Sequence, residues 1–298
     1  MIHYLNGAFV GDEQAVVPLT DHGFLYGDGC FEGVGVIDGR IVHLDEHIER
    51  LIFSTRTLRI NLGLSHGEVR EIVLETAARN GMAEHPTGYL RPIVSRGRGP
   101  MGVKWSSQLE GPTFAVIAQV GDARMALTGD PAVLTACQTT RVRKPSSITD
   151  ARIKSNNYIP NVLAYLEAEE RGFDVGLMTD EFGRLSEGHA ANVFSVHGDA
   201  IRTPSRVDVL DGVTRQHVLR VARELGYQTE EGPMTMYDLL NADEAFVTSS
   251  LEGVAALSRV EHHHYAGATP GPVTRAIRDR YIEIALEQAT RIPEGSAT

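Results

Sequence analysis

The period of the hydrophobic pattern changes several times along the 298 residues, and each change predicts an element. "LNGAFV" and "VIDGRIV" set Asn-Gly and Asp-Gly between short apolar runs, the strongest local signal for a two-residue hairpin turn. Across "LDEHIERLIFSTRTLRI" the period lengthens. Leu44, Ile48, Leu51, Ile52 and Leu58 recur on one helical face, with acidic residues in the first turn. "SHGEVREIVLETAARNG" predicts a second helix, opened by a Ser65/Glu68 capping box and closed by Gly81. "GYLRPIVSRG" and "PTFAVIAQV" predict buried strands.

A Gly- and Asp-rich stretch at 121–130 predicts a linker between a small N-terminal domain (1–120) and a larger C-terminal one (131–298). Beyond it "AVLTACQTT" predicts a strand, 157–171 a helix stopped by Gly172, and "VGLMTDEFGRLSE" and "NVFSVHGDAIRT" two hairpins. "VTRQHVLRVARELG" is an amphipathic helix ended by Gly226, "EAFVTSS" a strand, and a last helix covers roughly 271–290. The expected class is mixed α/β, of the α+β type, because strict βαβ alternation is absent.

Composition narrows the function. A formal net charge of −11 opposes a general nucleic-acid or anionic-membrane surface, since both need a positive face. Two cysteines make neither a disulfide framework nor a zinc site, so no metal is expected. The opening "MIHYLNGAFVGDE" lacks a basic start and an apolar run, and no stretch reaches membrane-spanning length. The expected location is the cytoplasm.

Of 28 Lys plus Arg, only Lys104, Lys144 and Lys154 are lysine. Arginine stays protonated, whereas a lysine can be neutralised and used as a nucleophilic amine. Lys154 in "ARIKSNNYIPNVL" precedes a helix, where it either reaches into a cleft or ends a solvated loop. "VLDGVTRQHV" opens a helix at Gly212, Val213 and Thr214, a possible phosphate seat or an ordinary helix start. Glu187 in "LSEGHAANVF" ends a strand, either buried against a protonated ring nitrogen or solvated in a hairpin. Ser249 and Ser250 in "VTSSLEG" offer hydroxyls to a phosphate or carboxylate, or simply form a turn. Together an amine, a carboxylate and two phosphate seats meet the needs of pyridoxal 5′-phosphate (PLP).

The order of these motifs resembles the class IV, fold-type IV PLP-dependent aminotransferases, nearest to the branched-chain amino-acid aminotransferases. The resemblance runs from "TDHGFLYGDGCFEGVGV" to "TSSLEGV", with "EGHAANVF…IRTP…LDGVTR" following the family signature except at His189. It implies a C-terminal pseudo-barrel, a homodimer or higher homo-oligomer, and a cycle through pyridoxamine phosphate between an amino donor and a 2-oxo acid. It also implies that Lys154 binds the cofactor covalently and acts as the catalytic base. Glu187 would meet the ring nitrogen, Tyr158 the phenolic oxygen, and Leu210 the ring face. Arg50, the 212–214 turn, Ser249 and Ser250 would hold the phosphate.

For the substrate, the resemblance offers Tyr26, Phe31, Gly33, Tyr89, Arg91, Ser250 and Leu251, with Arg96 and Arg98 as possible carboxylate partners. "GYLRP" and "MGV" are similar to the branched-chain enzymes, while "SRG" is similar to D-amino-acid transaminases, and Gly35 stands where the branched-chain pattern carries arginine. Branched-chain L-amino acids with 2-oxoglutarate are therefore the expected pair. The rivals are a D-amino-acid or (R)-amine transaminase and a non-enzymatic small-anion binder built on the arginine cluster. "EHHHY" (261–265) is expected to be a surface loop, Cys30 a small buried side chain, and Trp105 part of a loop near the site.

Overall fold

The computed structural model describes residues 1–103, 108–121, 129–267 and 269–294; Trp105 and positions 122–128 of the expected linker lie outside them. The first part of the chain runs β1 (Ile2–Leu5), β2 (Ala8–Gly11), α1 (His22–Tyr26), β3 (Gly29–Phe31), β4 (Val34–Ile37), β5 (Arg40–Ile41), α2 (Leu44–Thr57), α3 (His66–Arg79), β6 (Thr87–Ser95) and β7 (Thr113–Val120). It continues with β8 (Val133–Val142), α4 (Ile159–Glu170), β9 (Val175–Thr179), β10 (Leu185–Gly188), β11 (Asn192–His197), β12 (Ala200–Thr203) and α5 (Val213–Glu224). The remainder is β13 (Gln228–Glu231), α6 (Met236–Leu240), β14 (Glu244–Ser249), β15 (Gly253–Val260), β16 (His263–His264), α7 (Pro272–Gln288) and β17 (Thr290–Arg291). Among the described residues no helix is long and apolar enough to cross a membrane.

The chain divides into two compact units, and the division differs from the sequence expectation. Ile153–Asn157 and the C-terminal stretch from Ala285 belong with the N-terminal unit, and the remaining residues beyond the linker form the other. Backbone pairing is the reason: β17 adds to the edge of β5, and Ser155 bridges Cys30 on β3. Such long-range pairs leave no periodicity in the sequence.

In the N-terminal unit the strands order as β17-β5-β4-β6-β7-β1-β2, with β3 also on β6. Both predicted hairpins form, with positive φ at Asn6 and Gly7 and at Asp38 and Gly39, as a twist-matched two-residue turn requires. The Ser65/Glu68 capping box forms, and Gly81 follows the helix at φ 63°. Helix α2 stops at Thr57, before Leu58, because Arg59 adopts a left-handed φ of 56°. Strand β6 is not buried throughout. Leu90 and Val94 enter the core while Tyr89 and Arg91 face outward, the alternation of an antiparallel sheet covered on one side. That alternation puts Tyr89 and Arg91 on one face, and the antiparallel pairing of β3 on β6 sets Phe31 opposite Ile93.

In the second unit the order is β10-β9-β8-β15-β14-β11-β12-β13. Strand β8 runs parallel to both β9 and β15, and β9 is buried along its whole length, as parallel strands require. The stacked rings of Phe194 and Phe246, 4.8 Å apart, fill this core. The histidine stretch forms a two-residue strand paired with β15, where a loop was expected, after Glu261 turns at φ 52°.

Candidate active site

Lys154 is held by its backbone. Phe31 donates its N–H to the Lys154 carbonyl at 2.9 Å, and Asn156 donates its N–H to Gly29 at 2.9 Å, so the segment rides on β3. The Asn157 amide also reaches Gly27 at 2.8 Å. Glycine is needed beneath this strap, since a Cβ on Gly29 would stand 2.2 Å from the Val94 carbonyl and 2.6 Å from the Asn156 amide. The Lys154 ammonium lies 5.0 Å from the centre of the Phe31 ring, within cation–π range. Neighbouring Cys30 is fully buried; burial, then the charges of Glu32 and Asp28, push its thiol up to about 12. It is inert as a nucleophile, as expected.

Arg50 is positioned by a carboxylate that sequence reading left unassigned. Glu32 accepts from Arg50 Nε at 2.7 Å and Nη2 at 2.6 Å, and from His47 Nδ1 at 2.8 Å. Residues 47 and 50 lie one turn apart on α2 and therefore face β3 together. Burial opposes the charge on Glu32, but the Arg50 guanidinium and the His47 hydrogen bond overcome it and hold the carboxyl down at about 2. The signal was present in "CFEG" and "EHIER", but only the packed fold brings the two together.

The expected substrate residues separate into two groups. Tyr89, Arg91 and Phe31 form one cluster. The Tyr89 hydroxyl accepts from Arg91 Nε and Nη2 at 3.1 and 2.9 Å, and the guanidinium carbon lies 5.0 Å from the Phe31 ring centre. Gly33 makes room for it, since a Cβ there would meet the Tyr89 hydroxyl at 2.4 Å. Tyr26 accepts from the Gly102 N–H at 2.7 Å.

Arg96 donates to both carboxylate oxygens of Asp28 at 2.5 and 2.9 Å and to the carbonyls of Leu58 and Arg59, which ties these donors to the fold. Arg98 is exposed beside Glu110 at 3.4 Å.

In the second unit Glu187 is buried, on a strand whose register slips between Leu185 and Gly188; such a bulge re-aims a side chain. Its Oε1 accepts from Arg143 Nε, and its Oε2 accepts from the Leu210 N–H at 2.8 Å. The Leu210 carbonyl in turn accepts from Asn192 Nδ2 at 2.9 Å. Gly212 packs on the same amide, where a Cβ would stand 2.2 Å from Asn192 Oδ1. One hydrogen-bonded chain thus ties a buried carboxylate to the start of α5, whose N-cap Gly212 makes no side-chain cap. Val213 and Thr214 there are buried, and Thr214 donates to the Ser249 carbonyl at 3.1 Å.

The Ser249 hydroxyl donates to Glu252; Ser250 and Leu251 follow it, both half-buried. Tyr158 is the N-cap residue of α4. His189 turns its ring onto Tyr165, 5.1 Å between centroids, and faces the Gly176 N–H. Burial lowers its pKa.

These donors fit PLP. The groups are of the kinds PLP needs: an amine on a backbone-held segment, and a buried carboxylate on a short hydrogen-bonded path to a helix N-terminus, where dipole and N–H groups favour a phosphate. Arg143 was missed by sequence reading, because only the register of β8 against β9 carries it toward Glu187.

Comparison with known proteins agrees. The Amino-transferase class IV family matches residues 29–260. The chain is 32% identical over 290 residues to a putative branched-chain-amino-acid aminotransferase of Methanocaldococcus jannaschii, covering 97% of this chain and 98% of that one. It is 29% identical to a D-alanine aminotransferase of Bacillus licheniformis, over 92% of this chain and 93% of that one. The T.th. branched-chain amino acid aminotransferase complexed with N-(5′-phosphopyridoxyl)-L-glutamate superposes with a TM-score of 0.87 at 29% identity, covering 96% and 94% of the two chains. The mixed α/β architecture is therefore that of fold-type IV, and the non-enzymatic reading falls away. With residues 29–260 matched by the family and nearly the whole chain by a relative, the chain belongs to the PLP-dependent class IV aminotransferases.

Proposed function

We propose that this enzyme moves the amino group of branched-chain L-amino acids to 2-oxoglutarate in a ping-pong cycle. The observation that carries the reading is the Phe31–Tyr89–Arg91 cluster over Gly33, an aromatic wall with one fixed cation beside the anchored lysine. Such a wall suits an apolar side chain, and the cation a carboxylate. When bound, PLP supplies the electron sink. Lys154 Nζ would take the proton from the substrate α-carbon and carry it across to the cofactor carbon that receives the amino group. Glu187 would orient the ring nitrogen, Tyr158 would donate to the phenolic oxygen, and Leu210 would pack on the ring. As the family resemblance implies, the N–H groups of Val213 and Thr214, with Arg50 and Ser250, would hold the phosphate.

The "SRG" stretch and the D-alanine aminotransferase likeness support a second reading, D-amino-acid or (R)-amine transfer. Half-reactions followed by cofactor absorbance separate the two. L-leucine should convert the cofactor to its pyridoxamine form, whereas D-alanine and (R)-1-phenylethylamine should leave it unchanged. The reverse pattern overturns the branched-chain assignment.

The assembly is proposed to be a homodimer or higher homo-oligomer. Helix α4 exposes Ile159 (71%), Val162 (52%) and Leu166 (42%), an apolar face costly to leave in water. Light scattering should therefore give a mass of at least two 32.5 kDa protomers, and Val162→Glu should lower it. A monomeric parent protein would refute this.

A further inference from the structure

Arg143 lies directly beyond β8 and has no part in the roles assigned above, yet it touches the carboxylate on which the cofactor reading depends. Its N–H donates to the Thr179 carbonyl at 2.8 Å, which fixes its backbone on β9. Its guanidinium is also tethered through its other two nitrogens: Nη2 donates to the Ala151 carbonyl at 3.0 Å and Nη1 to the Lys144 carbonyl at 3.3 Å. Nε then donates to Glu187 Oε1, while the Leu210 N–H holds Oε2. Both side chains are nearly shut off from water, at 13% and 7% exposure. A buried carboxylate held by a donor at each oxygen has one orientation, and its remaining lone pairs point away from both donors. A guanidinium remains protonated, so the countercharge beside Glu187 is permanent.

We propose that Arg143 is a positioning residue that acts through Glu187: it fixes the aim of that carboxylate and thereby keeps the proton on the pyridine nitrogen of bound PLP. The inference rests on the PLP reading above and adds a residue to it. Two charges pull on the ring proton. Glu187 alone would attract it strongly enough to share it, and Arg143 draws charge away from the carboxylate so that the proton stays on the ring. Fixing the carboxylate also removes the need to reorganise it as charge develops on the ring.

The test loads the holoenzyme with PLP labelled at the ring nitrogen and reads its nitrogen-15 chemical shift against pH. Wild type should show a protonated ring throughout the stability range. Arg143→Met should move the shift toward the neutral ring or make it titrate, and should lower kcat by about tenfold to a hundredfold, the kinetic equivalent of one charge-assisted hydrogen bond. Arg143→Lys, which keeps the charge but not the planar tethers, should restore the shift in part, and it keeps the proposal testable if the methionine variant does not fold. An unchanged shift in both variants overturns the role of Arg143 and leaves the PLP reading standing. A wild-type protein that takes up no PLP overturns the cofactor reading itself.

Discussion

Lys154→Ala should abolish transamination while leaving the fold intact. Removing the amine takes away both the covalent anchor and the base that moves the α-proton, and a positioned general base alone contributes about a hundredfold to ten-thousandfold. The expected loss in kcat is about a thousandfold or more. The fold should survive, because what ties this segment to β3 is main chain. The Lys154 carbonyl and the Asn156 N–H make the bonds, and alanine keeps both. The side chain's cation–π contact with Phe31 is worth roughly 0.5–2 kcal/mol. Borohydride reduction followed by intact mass should add the cofactor to the parent protein but not to the variant. Turnover by the variant at the parent rate would remove Lys154 from the mechanism.

What the sequence made legible was local. The Asn-Gly and Asp-Gly turns and the Ser65/Glu68 box are each decided by neighbouring residues, and they form where expected. The order Lys154, Glu187, Leu210 and Gly212 was legible for a different reason: a resemblance carries positions even when no local rule explains them. What stayed hidden needed tertiary register. Arg96 looked like a cation free to meet a substrate, because Asp28 lies 68 positions away. Arg143 meets Glu187 only through the parallel pairing of β8 with β9, which no hydrophobic period encodes. Glu32 sat inside a quoted motif, yet nothing in an alternating strand says that its outward neighbour is a helix carrying His47 and Arg50.

That buried trio gives the largest stability effect. Glu32→Ala leaves the Arg50 guanidinium without its countercharge beside β3, and breaking a buried pair in this way costs about 3–5 kcal/mol. Glu32→Gln, which keeps the shape, isolates the charge and sets a dependence on pH. In the folded protein burial disfavours the Glu32 carboxylate, but Arg50 and His47 outweigh that and hold it at about 2, against an ordinary 4.5. The unfolded chain therefore takes up the proton first as pH falls. The contribution, about 3 kcal/mol, is complete above 4.5 and is lost as pH drops toward 2. His47 acts in the same direction. Burial, partly offset by Glu32, lowers it from 6.5, so the unfolded chain also gains that proton first and the loss of stability begins below 6.5. Urea midpoints at pH 7, 4.5 and 3 should fall more steeply for the parent than for Glu32→Gln below pH 4.5, drawing the two curves toward each other in acid. Parallel curves would mean that the carboxylate carries no net charge stabilisation, and that Arg50 is held in place by packing alone.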